Sequence, residues 1–232
     1  MTDKTSTGSI VFDRLLEGGY ENDVITTVYG PAGSGKTLAC LACAVAVARN
    51  KKVIYVDTEG GFSIARLKQL TNDHDSILNN IFFLKPTTFT EQKKTFEKLK
   101  KLITDEIGLI IVDSISMLYR LEMKRDEDIS DINKDLAAQV GYLTEIARKK
   151  NIPILLTNQV YANFDDRNKV NIVGGDVLKY GSKCLIELQV TPNNKRRAIL
   201  RKHRSLSERD ALFEIRESGM IDSKESKGFK LF

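Results

Sequence analysis

The run Gly30-Pro31-Ala32-Gly33-Ser34-Gly35-Lys36-Thr37 constrains this chain more than any other stretch. It fits the spacing G-x-x-x-x-G-K-[ST] in full, between a short apolar run and a small-residue run that favours a helix. Glycines admit φ > 0, so backbone N–H groups can curl around phosphate oxygens. Lys36 is placed to reach the β- and γ-phosphates, and the Thr37 hydroxyl to ligate Mg²⁺, at the positive end of the helix that starts there. Residues 30–37 therefore read as a phosphate-binding loop for ATP and Mg²⁺.

A strand–loop–helix unit of this kind belongs to alternating α/β folds. Strand-like runs at residues 25–29, 53–59, 81–85, 109–114 and 153–159 alternate with helix-like stretches at 38–49, 91–104 and 132–150. That alternation predicts a mostly parallel central sheet with helices on both faces. The last third differs. Residues 185–190, 197–202 and 211–216 read as strands, with the turn signal Thr191-Pro192-Asn193-Asn194 between the first two. They predict an antiparallel C-terminal extension of the same sheet. Residues 1–8 are polar and are expected to be flexible, which leaves residues 9–232 as a single core. A length of 232 residues suits one α/β domain.

The chain is 41% hydrophobic and 29% charged. No apolar run approaches the ~20 residues a bilayer demands, and no signal-peptide core is visible, so a cytoplasmic location is expected. Cys40 and Cys43 share a C-x-x-C spacing, but they lie in a run that reads as a buried helix, and no second pair completes a zinc site. His74 and His203 have no partner pattern. The formal net charge of +5 permits nucleic-acid binding without specifying it.

Two further strands end in carboxylates. Leu109-Ile110-Ile111-Val112-Asp113 is a buried run ending in an acid, the arrangement that holds the metal's water shell behind a phosphate loop. Val53-Ile54-Tyr55-Val56-Asp57-Thr58-Glu59 offers two carboxylates at the edge where open α/β sheets bind ligands. Strand parity alone does not choose between Asp57 and Glu59 as the group that orients the attacking water. Residues 152–159 end in Asn158 and Gln159, amides that read as turn residues or as sensors of a γ-phosphate.

Taken in order, residues 30–37, Val56-Asp57-Thr58-Glu59-Gly60-Gly61-Phe62, Leu109 to Ser114, Leu118-Tyr119-Arg120 and Thr157-Asn158-Gln159-Val160 carry a resemblance. From about Thr7 to Asp222 the chain resembles RecA/RadA-type recombinases, and Thr7-Gly8-Ser9 with the following Phe12-Asp13-Arg14-Leu15-Leu16 is similar to their lead-in. The resemblance implies a RecA-type P-loop fold, with Lys36, Glu59 and Gln159 as the catalytic set and Thr37 and Asp113 at the metal. It also makes Gln159 the link between the γ-phosphate and a second DNA-binding loop at residues 161–176. A first DNA-binding loop would follow Tyr119, which makes Arg120 a DNA candidate.

The departures are informative. Only a few polar residues precede the core, so neither the family's N-terminal helix-hairpin-helix domain nor its Phe-centred polymerisation linker is expected. The first loop region, residues 122–135, carries Glu122, Asp126, Glu127, Asp128, Asp131 and Asp135 against Lys124, Arg125 and Lys134. A net negative loop repels phosphates. These features resemble the archaeal core-only paralogues of the family. The resemblance then implies an accessory protein of DNA repair and homologous recombination that binds DNA, preferring single strands. A weak Mg²⁺-dependent ATPase without autonomous strand exchange is expected. Implied partners are a RadA-type main recombinase, a Holliday-junction nuclease and a second copy in a homodimer, with no membrane. Two alternatives stay open: a nucleotide-binding module acting only through protein contacts, and an active strand-exchange recombinase.

The densest basic stretch is Lys195-Arg196-Arg197 with Arg201-Lys202-His203-Arg204. On a strand, Arg197 and Arg201 share one face while Lys202 and Arg204 point the other way. Arg197, Arg201, Lys202 and Arg204 are thus candidate DNA contacts, against the alternative of an edge hairpin kept soluble by charge. Lys93, Lys94, Lys98, Lys100 and Lys101 fall at helical spacing with Phe96 and Leu99 on the apolar side, which reads as an ordinary amphipathic helix.

Overall fold

Apolar strands without polar alternation need cover on both faces. The computed structural model, which describes residues 3–125, 129–162 and 170–223, supplies it. In chain order the elements are β1 (Lys4–Thr5), α1 (Ile10–Leu15), β2 (Tyr20–Glu21), β3 (Ile25–Tyr29), α2 (Lys36–Ala48), β4 (Lys52–Asp57), α3 (Ile64–Leu70), α4 (His74–Asn79) and β5 (Ile81–Leu84). There follow α5 (Phe89–Leu102), β6 (Ile107–Asp113), α6 (Met117–Met123), α7 (Ile129–Lys150), β7 (Ile154–Asn158), β8 (Val160–Ala162), β9 (Val170–Ile172) and α8 (Gly175–Gly181). The last strands are β10 (Cys184–Val190), β11 (Lys195–Lys202), β12 (Arg209–Arg216) and β13 (Gly219–Asp222).

Nine strands form one sheet in the order β13-β12-β11-β10-β3-β7-β6-β4-β5. From β10 to β5 neighbours are parallel; β11, β12 and β13 extend the sheet antiparallel, as expected. Alternate residues of the central strands enter two cores. Tyr55, Ile111 and Leu155 pack with α1 and α2, while Ile54, Val56, Ile110 and Val112 pack with α5, α6 and α7. Cys40 and Cys43 sit in the first core as free thiols, and burial raises both above the ordinary thiol range. Phe96 and Leu99 are buried on α5 while Lys93 reaches Asp135 of α7 at 2.7 Å, which makes α5 the amphipathic helix expected.

The beginning of the chain departs from expectation. Lys4 and Thr5 pair with Glu21 and Tyr20, and Thr7 is buried. The Asp13 carboxylate accepts from the Thr7 N–H at 2.7 Å and the Ser6 hydroxyl at 2.8 Å. Residues 3–8 are therefore an anchored part of the core and not a flexible leader. Their composition is polar because their hydroxyls are spent on local hydrogen bonds, which polarity alone does not distinguish from solvation.

Candidate nucleotide site

All the site carboxylates arrive at the C-terminal ends of parallel strands. β3 runs into the phosphate loop, and α2 begins at Lys36 with no side chain capping its first turn. Its leading N–H groups are therefore available to an anion. Gly33 has φ +70° with nothing within 4 Å of where a Cβ would stand, so the tip of the loop is an open cradle. The Ser34 hydroxyl is buried without a hydrogen-bond partner in the described protein. An orphaned hydroxyl beside open glycine backbone fits a polyphosphate.

Lys36 folds back on the loop, its ammonium donating to the carbonyls of Gly30 and Pro31 at 2.9 Å each. Burial lowers its pKa, opposed by the charges of Glu59 and Asp113. Asp113 is 2% exposed. Its carboxylate accepts from Tyr55 at 3.0 Å, from Thr157 at 2.5 Å and from the Thr37 hydroxyl. Desolvation raises its pKa, the three hydroxyl donors pull it down, and Glu59 pushes it up further. Thr37 and Asp113 thus stand together where the sequence expected a Mg²⁺ site. The paired hydroxyl and carboxylate are oxygen donors of the kind Mg²⁺ takes, one or two from protein with water and phosphate completing its shell.

Geometry separates the two carboxylates that strand parity left open. Asp57 is buried and accepts the backbone N–H groups of Gly61 at 3.1 Å and Phe62 at 3.3 Å, closing the turn after β4. Glu59 faces the site. It accepts from the Ser114 hydroxyl and, at 2.8 Å, from the amide of Gln159. The carbonyl oxygen of that amide accepts from the Arg120 guanidinium on α6. Glu59, Gln159 and Arg120 therefore form a continuous chain from the nucleotide site to the start of the first loop.

Arg120 also lines a groove of about 550 Å³ with Tyr119, Asn133, Tyr161 and Asp176. The second-loop region leaves as β8 and returns as β9, antiparallel to it, and residues 163–169 between them lie outside the described residues. Asp126, Glu127 and Asp128 of the first-loop expectation lie outside them too. Of the other acids there, Asp131 pairs with Lys134 and Asp135 with Lys93, each at 2.7 Å.

The basic hairpin presents itself otherwise than as a row of free charges. Arg197 pairs with Asp210 at 2.9 Å, and Arg201 with Glu187 and Glu208 at 2.7 Å each. Lys202 donates to the carbonyls of Lys179 and Ser182, and Arg204 clasps Glu21 and Asp23. The opposing carboxylates come from the neighbouring strands and turns and from the region of β2, which a charge count along the basic run does not see.

Several site residues carried no sequence signal of their own. Tyr55, Thr157 and Ser114 read only as strand or turn residues, yet their hydroxyls hold Asp113 and Glu59. Asn158 is buried, its side chain donating to the Val173 carbonyl at 2.8 Å while its backbone carbonyl accepts from Gly30. It ties the phosphate loop to the return of the second loop. The sequence had offered this amide at the strand's end as a turn residue or a sensor of a γ-phosphate.

The family model described as Rad51 matches residues 3–223. A protein named DNA repair and recombination protein RadB from Methanobrevibacter smithii is 44% identical over 218 residues, covering 90% of this chain and 92% of that one. A protein of the same name from Methanocaldococcus jannaschii is 40% identical, covering 89% and 97%. A solved structure described as the RadB recombinase superposes with a TM-score of 0.80 at 37% identity, covering 94% of this chain and 99% of its own. The chain belongs to the Rad51 family and, within it, to the archaeal RadB group.

Proposed function

We propose that this chain is a DNA repair and recombination accessory protein in which bound ATP–Mg²⁺ acts as a signal that changes the grip on DNA. The carrying observation is the chain Glu59–Gln159–Arg120, which joins the carboxylate facing the phosphate loop to the side chain lining the groove between the loop regions. Lys36, Thr37 and the residues of 30–37 would hold the nucleotide, with Asp113 beside the metal. Mg²⁺ there would neutralise developing charge on the phosphates. Glu59 is placed to orient water, but it is tied to Gln159 and Ser114, so turnover is slow.

A γ-phosphate that draws Glu59 or Gln159 aside breaks the contact with Arg120, giving the two states the differential contacts a switch needs. The groove suits a single strand: an unstacked base can lie against Tyr161, 54% exposed, with a phosphate on Arg120. To test this, the affinity for a fluorescent single-stranded oligonucleotide is measured by anisotropy with ATP–Mg²⁺, with ADP–Mg²⁺ and without nucleotide, across a salt series. The reading expects ATP–Mg²⁺ to change the affinity at least about fivefold. No binding at low salt in any state removes its DNA half.

A second reading is favoured by the paired state of the basic hairpin: a nucleotide-binding module that works through protein partners, the main recombinase first. Lys36→Ala discriminates. Partner capture that survives loss of nucleotide binding supports the module.

A further inference from the structure

The wall of the phosphate loop facing the antiparallel extension is built by residues outside the loop motif. Leu188 of β10 brings its carbonyl against Gly30, where an added Cβ would stand 2.4 Å from it. Ile215, Met220 and Phe213, from β12 and β13, surround Gly35. At the tip of the loop the neighbour is a charge. Arg196 of β11 donates from Nε to the Gly33 carbonyl at 3.1 Å.

The guanidinium is aimed by the turn that precedes it. Asn193 and Asn194 both take positive φ, 61° and 55°, which suits the tight hairpin between β10 and β11. Thr191 closes that hairpin on the Lys195 carbonyl at 3.0 Å. One amino group of Arg196 then donates to the Asn194 backbone carbonyl at 2.8 Å and to the Asn194 side chain at 3.1 Å. Among the described residues no carboxylate pairs with this guanidinium, whereas Arg197, Arg201 and Arg204 around it each hold one. It is therefore a cation whose structural contacts are carbonyl and amide oxygens, standing on a loop built to receive anions.

We propose that Arg196 is a nucleotide-positioning residue: a cation supplied by the β10–β11 hairpin that strengthens the phosphate loop's hold on a nucleoside di- or triphosphate. Two effects act in the same direction. Its charge adds to that of Lys36 at the polyphosphate. Its hydrogen bond also holds the Gly33 carbonyl, and with it the tip of the loop, in the conformation that receives the phosphates. The inference rests on the nucleotide reading of residues 30–37 and extends it to a residue outside that motif.

Dissociation constants for ATP–Mg²⁺ and ADP–Mg²⁺ are measured by calorimetry at several salt concentrations for wild type, Arg196→Ala, Arg196→Lys and the control Arg209→Ala. Arg209 pairs with Glu17 and lies four register steps down β12 from the residue opposite Arg196. Arg196→Ala is expected to weaken both nucleotides about three- to tenfold and to flatten the dependence of log Kd on log salt. Arg196→Lys should restore the salt dependence and part of the affinity, and Arg209→Ala should match wild type. A purely structural arginine would not move the salt dependence. Wild type that binds ATP while Arg196→Ala stays within twofold of it overturns this inference alone. Wild type that binds no nucleotide overturns the reading of the loop and this inference with it.

Discussion

At Asp113 burial and charge oppose each other. Its carboxylate is almost wholly buried, and burial raises its pKa despite the donors Tyr55, Thr37 and Thr157. A carboxyl whose folded value lies above its unfolded one makes the folded state take up a proton. Stability is then greatest at low pH, is lost as pH rises from near the ordinary value of 3.8 through the raised value, and stays lost above it. Asp113→Asn removes that cost, since its amide oxygen can still accept from a hydroxyl while the others turn to accept from its NH₂. The nucleotide-free variant should melt at or above wild type at pH 7, and the difference should shrink toward pH 4, by scanning calorimetry. The rise in melting temperature that ATP–Mg²⁺ gives wild type should be absent in the variant.

Lys36 poses a simpler case, because among the described residues its hydrogen bonds go only to the carbonyls of Gly30 and Pro31 and its charge faces Glu59 and Asp113 without a direct bond to either. Lys36→Ala should bind ATP about 10- to 150-fold more weakly, the worth of a charge-assisted contact, with little change in nucleotide-free melting. At this scale the sequence was legible wherever backbone spacing defines the chemistry, as at residues 30–37. It was open wherever orientation decides. Asp57 and Glu59 are two residues apart on the same run, and only the turn at Gly61 and Phe62 shows which one is consumed.

Among the elements, the strands and long helices were readable because burial on two faces leaves long apolar runs. β3 falls on the residues expected, and α2, α5 and α7 differ from expectation by no more than three residues at either end. The N-terminal segment was not readable, since it is held by hydroxyls and by one glycine. Gly8 has φ +71°, and a Cβ there would stand 2.1 Å from the Ala42 carbonyl of α2. Gly8→Ala should therefore cost about 3 kcal/mol or more in urea denaturation, far beyond a solvated leader's tolerance. The charges of β11 and of Arg204 just after it have partners on β10, β12 and in the β2 region, which the basic run alone does not show. Removing Arg201 leaves Glu187, 5% exposed, without its guanidinium. Arg201→Ala should lose about 1–3 kcal/mol of stability, discounted for the arginine's partial exposure, while DNA affinity stays within about twofold.

For the whole molecule, one sheet carries both the phosphate loop and β7, which ends one residue before Gln159, so under the proposed reading a change at the nucleotide reaches the loop regions through a few side chains. Asn158 adds a second route, from the Gly30 N–H through its own backbone carbonyl and side-chain amide to Val173, beside the one through Glu59 and Arg120. Coupling between two ligands is reciprocal, so any effect of ATP on DNA must appear equally as an effect of DNA on ATP. The most direct measurement is the ATP–Mg²⁺ dissociation constant with and without saturating single-stranded DNA, in wild type and in Gln159→Ala. The account predicts a shift of about fivefold or more in wild type and none in the variant. A shift of equal size in both proteins, or none in wild type, contradicts it.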